Sequence, residues 1–345
     1  MIGICGNYGS VQNPNNGQTV KTRVISDELI KRLGRELIRT VDSSNWRRAP
    51  ISLLIRCHKL IKECDDIIIM PARNGVRLFI PLFLFLNIFY KRRLHYVVIG
   101  GWLPAFLKSR NLLKKWISRY NNVYVETHSM VSALNEQWLN NVKQLPNFKP
   151  LEIISKEELV YTFEPPFKVC TFSRVSKEKG IEDAITAIKR VNDSLGYIAF
   201  ELDIYGQVDE DYKNEFDALR EKFPEYITYK GVVEYNESVK YLKQYFALLF
   251  PTYYEGEGFA GTILDAYSAG VPVIATDWKY NCEITKHKED GLIYKRETAN
   301  ALENILTSVL KQPSIINDMK ENCLNRAKEY TPDKVVSKLL KDLTT

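Results

Sequence analysis

The chain has 345 residues, of which 45% are hydrophobic and 26% are charged. This length predicts roughly two domains, and the composition excludes a disordered chain, a collagen-like repeat and a disulfide scaffold. The net charge of +6 hides an asymmetry: residues 1–150 hold 23 Lys and Arg against 9 Asp and Glu, whereas residues 151–345 hold 25 against 33. The sequence therefore predicts an anionic partner for the first half alone.

The six cysteines are scattered, with no CxxC pair and no histidine at metal-ligand spacing. This pattern favours reduced thiols in a cytoplasmic protein over a zinc site or disulfides. No signal peptide is expected from the first residues. The most apolar run, residues 78–90, is shorter than the roughly 20 residues that a helix needs to cross a bilayer.

Strand and helix patterns alternate in both halves of the chain, which predicts an α/β fold with doubly wound parallel sheets. A proline-rich segment near residues 145–166 predicts a linker, and two such halves predict a cleft that holds a ligand. In the first half we expect strands at 2–5, 67–70 and 96–99 and a helix over 19–39. In the second half we expect strands at 168–173, 199–205, 226–230, 248–251 and 273–276. Helices are expected there over 180–195 and 315–343, the latter broken near residue 332.

Residues 250–277 carry the most informative motif of the chain. A strand is expected to end at Pro251, a glycine-rich loop follows, and Thr262 is expected to cap a short helix that Gly270 ends. Amide groups at such a helix start favour an anion, and the flanking acids Glu257 and Asp265 can accept hydroxyl hydrogen bonds, which together suit a nucleotide sugar. An ordinary strand–loop–helix unit with acids favouring the dipole is the alternative.

With its flanks, the motif resembles the signature of glycosyltransferase family 4, which comprises retaining enzymes of the GT-B architecture with two Rossmann-like domains. The family has two Glu separated by seven residues, and this chain has Glu257 and Asp265 at that spacing, before a Gly-Val-Pro-Val-Ile strand. The loop variant resembles members that build bacterial surface or capsular polysaccharides. The resemblance implies that Glu257 contacts the donor sugar and Asp265 the ribose, with further donor contacts from Gly258, Phe259, Ala260, Gly261 and Thr262.

A second segment, residues 172–180, resembles the family's Arg…Lys-Gly element, in which two cations hold the donor diphosphate. The resemblance maps those cations to Arg174 and Lys179, and a leaving diphosphate gains charge as the glycosidic bond breaks. No metal is then required, and no cofactor is expected besides the nucleotide-sugar donor, a UDP-sugar in preference to a GDP-sugar. A solvated lysine-rich turn is the alternative, and it explains Lys177 better than Arg174.

In the first half, Gly17 lies in a polar loop before a helix and resembles the family's loop near the donor phosphates; an ordinary turn explains it equally well. Many family members have a histidine after the strand at 96–99, where this chain has Gly100, Gly101 and Trp102. His128 follows the next strand and is a candidate replacement, although a lone histidine is more often structural.

Basic clusters and aromatic residues of the first half predict contact with an anionic membrane surface, and no nucleic-acid motif is present. For residues 78–90 themselves, a buried core helix is favoured over a membrane segment. The expected domains are 1–160 for the acceptor and 161–325 for the nucleotide sugar, with residues 326–345 as a helix that returns to the first domain.

The sequence thus predicts a cytoplasmic, membrane-peripheral glycosyltransferase of the hexosyltransferase type. It would move a sugar to a saccharide acceptor, expected to be lipid-linked, in bacterial surface polysaccharide synthesis. Because the expected histidine is absent, a non-catalytic nucleotide-binding subunit that supports an active enzyme is one alternative. A sugar-nucleotide epimerase of the same architecture is another.

Overall fold

The computed structural model describes residues 1–9, 17–44 and 46–344. The chain forms two compact units, one of Met1–Pro150 with Tyr330–Thr345 and one of Leu151–Glu329. Each unit contains one six-stranded sheet in which every strand pairing is parallel, with helices as the connections between strands. This confirms the predicted α/β class with two Rossmann-like units.

The strand order of the first unit is β2-β1-β3-β4-β5-β6, and one cluster of its core lies between the sheet and the helices Gly17–Leu33 and Pro332–Thr344. Its strands are β1 (Ile2–Gly6), β2 (Ile38–Asp42), β3 (Asp66–Met70), β4 (Arg93–Val97), β5 (Asn122–Val125) and β6 (Val142–Gln144). Its helices are α1 (Gly17–Leu33), α2 (Pro50–Glu63), α3 (Val76–Tyr90), α4 (Leu103–Leu107), α5 (Asn111–Ile117), α6 (His128–Asn135) and, at the end of the chain, α15 (Pro332–Thr344).

The strand order of the second unit is β12-β11-β10-β7-β8-β9. Its strands are β7 (Phe167–Phe172), β8 (Phe200–Tyr205), β9 (Ile227–Gly231), β10 (Ala247–Phe250), β11 (Val273–Thr276) and β12 (Gly291–Tyr294). Its helices are α7 (Ile181–Leu195), α8 (Lys213–Arg220), α9 (Ser238–Leu242), α10 (Gly261–Ser268), α11 (Asn281–Ile284), α12 (Ala301–Lys311), α13 (Ser314–Asn317) and α14 (Lys320–Ala327).

The direction of strand addition reverses once in each sheet. In the first unit the reversal lies between β1 and β3, and in the second it lies between β7 and β10. At such a reversal the connections leave on opposite sides of the sheet, which opens a crevice at the carboxyl ends of the two strands. Each unit therefore has one edge of its sheet that suits a ligand.

The predicted helix over residues 19–39 is too long at its end. Helix α1 ends at Leu33, and Gly34 has a φ of 91°, a left-handed conformation that L side chains rarely adopt. The chain then passes through one 3-10 turn into β2, whose Ile38 and Val41 are buried. The predicted helix therefore overlaps the first two residues of β2.

The segments on either side of the boundary between the units can be assigned from their contacts. Residues 151–160 pack within the second unit, because the amide of Ile154 donates to the carbonyl of Ser268 at 3.0 Å and the Leu159 side chain lies against Gly270. The division therefore lies after Pro150, ten residues before the boundary predicted from the proline content. The segment from Tyr330 onward belongs to the first unit, where Val336 and Leu339 of α15 are fully buried.

The prediction that residues 78–90 form a buried core helix is correct for one face of the helix only. They lie in α3, which runs through Pro81 without a break and buries one face through Phe79, Ile80 and Phe83. The opposite face is exposed, with Phe85, Ile88 and Phe89 all more than half accessible to solvent. No helix among the described residues is long and apolar enough to cross a membrane.

One lysine is buried in the second unit. Lys320 of α14 is 1% exposed, and its ammonium donates to the Tyr245 carbonyl at 3.3 Å. Burial lowers the pKa of Lys320 from 10.5 to about 8, because the charged form loses its hydration.

We expect Lys320→Met to raise the free energy of unfolding at pH 7 by about 2–3 kcal/mol, the cost of holding this ammonium in the interior. Between pH 8 and 10.5 the folded protein has released the proton and the unfolded chain still holds it. Wild-type stability therefore rises relative to the variant, and the difference disappears above pH 10.5. Urea unfolding across this range measures it, with the exposed Lys311→Met as control. A constant difference at all pH values would contradict the assignment.

Candidate functional site

The carboxyl ends of β7 and β10 meet at the strand-order reversal of the second unit, and most of the predicted site residues follow these two strands. Arg174 and Lys179 come after β7, and Glu257 comes after β10. The two connections pass very close to each other at Gly180, which has a φ of 71°. A Cβ atom there would lie 2.2 Å from the Pro251 carbonyl oxygen. Only glycine allows this approach.

Lys179 and Glu257 form an ion pair at this edge. The Nζ of Lys179 lies 2.6 Å from Oε2 of Glu257, and the two side chains are 10% and 8% exposed. The same carboxylate oxygen accepts a hydrogen bond from the Thr252 hydroxyl at 2.9 Å. The structure thus brings together two residues that are 78 positions apart in the chain.

Arg174 lies beside this pair and is more exposed. Its side chain is 53% accessible, and it makes an ion pair with Asp209 at 3.1 Å. The ring of Tyr254 is within reach of both cations, since its centroid is 5.5 Å from the Arg174 guanidinium carbon and 5.2 Å from the Lys179 ammonium. The π-face of a tyrosine ring attracts cations at this distance. Tyr254 therefore links the two predicted phosphate-binding side chains.

The glycine-rich loop leads from Glu257 into α10, which begins at Gly261. Gly258 and Phe259 are buried, whereas Ala260 and Gly261 are partly accessible. Thr262 does not cap the helix as predicted: it lies inside the first turn, and its hydroxyl donates to the Phe172 carbonyl at the end of β7. The helix end is as expected, because Gly270 follows it with a φ of 65°.

Asp265 lies within α10 and is 3% exposed. Its Oδ1 accepts a hydrogen bond from the Ser238 hydroxyl of α9 at 2.8 Å. The direct role of Asp265 towards a ribose stays a prediction.

In the first unit, Gly17 is the first residue of α1, and Gln18 donates to the Met70 carbonyl at the end of β3 at 3.2 Å. The start of α1 therefore lies at the strand-order reversal of this unit. The rest of the polar loop, residues 10–16, lies outside the described residues. The predicted role of Gly17 towards the donor stays a prediction.

A buried ion pair lies after β4 and β5, near the position of the missing histidine. Lys21 of α1 lies 2.6 Å from Glu126, and both side chains are 3% exposed. The same Glu126 oxygen accepts from the Gly100 amide at 3.2 Å, so it fixes the turn that stands where many family members have histidine.

Two histidines lie on or just after these two strands. His128 is exposed at the start of α6, where the Thr127 side chain caps the helix. His95 is fully buried in the middle of β4, and its Nε2 lies 3.1 Å from Asp66. A role for His128 stays a prediction.

Sequence reasoning missed four side chains that hold the predicted residues: Thr252, Tyr254, Asp209 and Ser238. Tyr254 lies three positions before Glu257 and could have been found from its place in the motif. The partners Asp209 and Ser238 come from the connections that follow β8 and β9, and no local pattern marks them.

Comparison with known proteins agrees with this architecture. The family model for glycosyl transferases group 1 matches residues 157–329, which is half of the chain. The GtfA subunit of the UDP-N-acetylglucosamine–peptide N-acetylglucosaminyltransferase of Streptococcus gordonii is 29% identical over 165 residues, which is 45% of this chain and 30% of that protein. The match thus spans about a third of the length of this curated relative.

Solved structures share the whole fold at low sequence identity. The crystal structure of Anabaena HepE in complex with UDP and glucose aligns over 99% of both chains with a TM-score of 0.75 and 14% identity. The pneumococcal O-GlcNAc transferase GtfA, in complex with UDP and GlcNAc, aligns over 83% of this chain and 58% of its own, with a TM-score of 0.62 and 18% identity.

The fold is that of a GT-B glycosyltransferase, an α/β class built from two Rossmann-like units. The chain belongs to the family of group 1 glycosyl transferases.

The Lys179–Glu257 pair makes a prediction for stability. We expect Lys179→Met and Glu257→Gln each to lower the free energy of unfolding, by about 3 kcal/mol where a charge stays buried without its partner. The double variant should lose clearly less than the sum, and urea unfolding of all four proteins gives the coupling. The exposed pair of Lys177 and Glu215, 4.0 Å apart, is the matched control with a coupling below about 1 kcal/mol. Strict additivity at Lys179 and Glu257 would contradict the buried pair.

Proposed function

We propose that this chain is a retaining glycosyltransferase of family 4 that moves a sugar from a nucleotide-diphosphate sugar to a saccharide acceptor. The observation that carries the proposal is the pairing of Lys179 with Glu257 at the strand-order reversal, beside the glycine-rich entry into α10. Within one crevice, the cation and the helix start can hold the diphosphate of such a donor, and the carboxylate can accept hydrogen bonds from its sugar hydroxyls. The cation also stabilises the negative charge that develops on the leaving diphosphate.

The leaving nucleoside diphosphate gains negative charge as the bond to the anomeric carbon breaks. Lys179 and Arg174 supply positive charge to its phosphate oxygens, and this interaction is strongest in the transition state. Tyr254 packs against both cations and holds them in place. Lys179 exchanges its ion pair with Glu257 for the phosphate when the donor binds.

The exchange frees the Glu257 carboxylate to accept hydrogen bonds from the donor sugar hydroxyls, while Thr252 continues to orient it. Asp265 accepts hydrogen bonds from the ribose in addition to that from Ser238. Backbone groups of Gly258, Phe259, Ala260, Gly261 and Thr262, together with Gly17, complete the donor contacts in this proposal.

We favour a UDP-sugar over a GDP-sugar as donor. Support comes from the solved structures of similar fold, whose descriptions name UDP with glucose or with GlcNAc. The curated relative from Streptococcus gordonii is named for UDP-N-acetylglucosamine.

For the acceptor we propose a lipid-linked saccharide and a role in bacterial surface polysaccharide synthesis, at the inner face of the plasma membrane. The support is the excess of positive charge in residues 1–150, which suits an anionic lipid headgroup or diphosphate.

The first test is a thermal-shift series with UDP, GDP and ADP. A nucleotide at about 100 times its dissociation constant adds ~2.7 kcal/mol of stability, enough to raise the Tm visibly. We expect a shift with UDP that Lys179→Ala abolishes and Lys177→Ala leaves unchanged, since Lys177 is 67% exposed and pairs with Glu215. No shift with any of the three nucleotides would overturn the proposed donor site.

Activity is tested by the release of UDP from UDP-glucose and UDP-N-acetylglucosamine, with membrane extracts as the acceptor source. We expect Glu257→Ala and Lys179→Ala to reduce sugar transfer at least ~100-fold while circular dichroism shows a folded protein. Analysis of the products separates the alternatives. A changed free sugar nucleotide would identify an epimerase, and nucleotide binding without turnover would identify a supporting subunit.

A further inference from the structure

Three neighbouring helices of the first unit expose an unusual amount of apolar surface. Of the 19 large hydrophobic residues that are exposed among the described residues, eight lie in α2, α3 and α5, which have only 14, 15 and 7 residues. We call the outer surface of these helices the α2–α3–α5 face. Its exposed apolar residues are Ile51, Leu54, Ile55, Leu78, Phe85, Ile88, Phe89 and Leu112.

The largest side chains of this face form one stripe on α3. Phe85, Ile88 and Phe89 follow the i, i+3, i+4 spacing of a single helix side and are 60%, 66% and 71% exposed. The rings of Phe85 and Phe89 lie 6.1 Å apart. Beside them, α3, α5 and the residues after α5 line a groove of about 410 Å³, in which Trp116 and Arg119 face Phe85 and Ile88.

The same region is strongly basic. Residues 67–125 contain ten Lys and Arg and no Asp or Glu. The three acids just before this segment are paired: Glu63 lies 3.9 Å from Lys59, Asp65 pairs with the N-terminus and Arg92, and Asp66 pairs with Arg93 and His95. The α2–α3–α5 face is therefore both apolar and strongly cationic.

The exposed apolar side chains and the positive charge of this face together indicate the chemistry of its partner. In a symmetric dimer this face would meet its own copy, which would bring like charges together. A nucleic acid would leave Ile88 and Phe89 without apolar contact. An anionic lipid surface satisfies both, because acyl chains take up the apolar side chains while headgroup phosphates lie beside the lysines and arginines.

We propose that the α2–α3–α5 face docks on a bilayer containing anionic phospholipids. Phe85, Ile88 and Phe89 enter the boundary between headgroups and acyl chains, and the flanking lysines and arginines contact phosphate. This inference rests on the proposed function, since it identifies the surface by which the enzyme reaches a lipid-linked acceptor. α3 lies on the membrane and does not cross it.

The test is cosedimentation with vesicles of phosphatidylcholine alone or mixed with phosphatidylglycerol, without any substrate. We expect the full chain to bind the mixed vesicles, and added salt to weaken the binding because it screens the charges. Replacing Phe85, Ile88 and Phe89 together by Ser should weaken binding at least tenfold. The control replaces Phe163 and Val232, which are 63% and 66% exposed in the second unit, by Ser. It should bind like wild type.

Binding of the triple variant at wild-type strength would overturn the proposal. So would a wild-type dimer in sedimentation experiments that the triple variant converts to a monomer, since the face would then join two protein chains. The UDP thermal shift is measured on the same proteins. Vesicle binding without a UDP shift would refute the proposed function alone, and a UDP shift without vesicle binding would refute the docking face alone.

Discussion

The second unit depends on the reversal of strand order between β7 and β10. The reversal places two connections from distant parts of the sequence side by side, and Gly180 lets their backbones approach to contact distance. Lys179 and Glu257 then meet in an environment that is nearly closed to water, where neither charge is tolerated alone. The ion pair thus holds the two connections together, and it provides the cation and the carboxylate that the proposed chemistry needs.

The first unit has a comparable arrangement built from other residues. Glu126 and Lys21 are a buried pair at the ends of its strands, and Glu126 also binds the backbone of Gly100. Where many relatives have a histidine side chain after this strand, the chain has a turn fixed by a carboxylate. The polar group at this edge is therefore supplied by the next strand and by the first helix.

The sequence was sufficient for the α/β class, for most strands of both sheets and for the glycine that ends α10, because buried strands and glycine stops are local signals. The strands β2, β6 and β12 were not predicted. It was insufficient where two signals overlapped. The helix predicted over 19–39 overlaps the first two residues of β2, Ile38 and Arg39. Threonine commonly caps helices, but the Thr262 hydroxyl donates a hydrogen bond to the Phe172 carbonyl. The partners Ser238 and Asp209 depend on tertiary contacts, and α3 reads as core because its two faces are both apolar.

The path of the chain has a consequence for how the protein is made. The first unit is discontinuous: it includes residues 1–150 and is completed only by α15, whose Val335, Val336 and Leu339 fill its core. The second unit is one continuous segment, so all of its residues leave the ribosome before α15 exists. The domain encoded second can therefore finish folding first, while one apolar face of the first sheet is covered only in part, by α1. Protection of that face during synthesis is a requirement that the order of domains along the gene would not suggest.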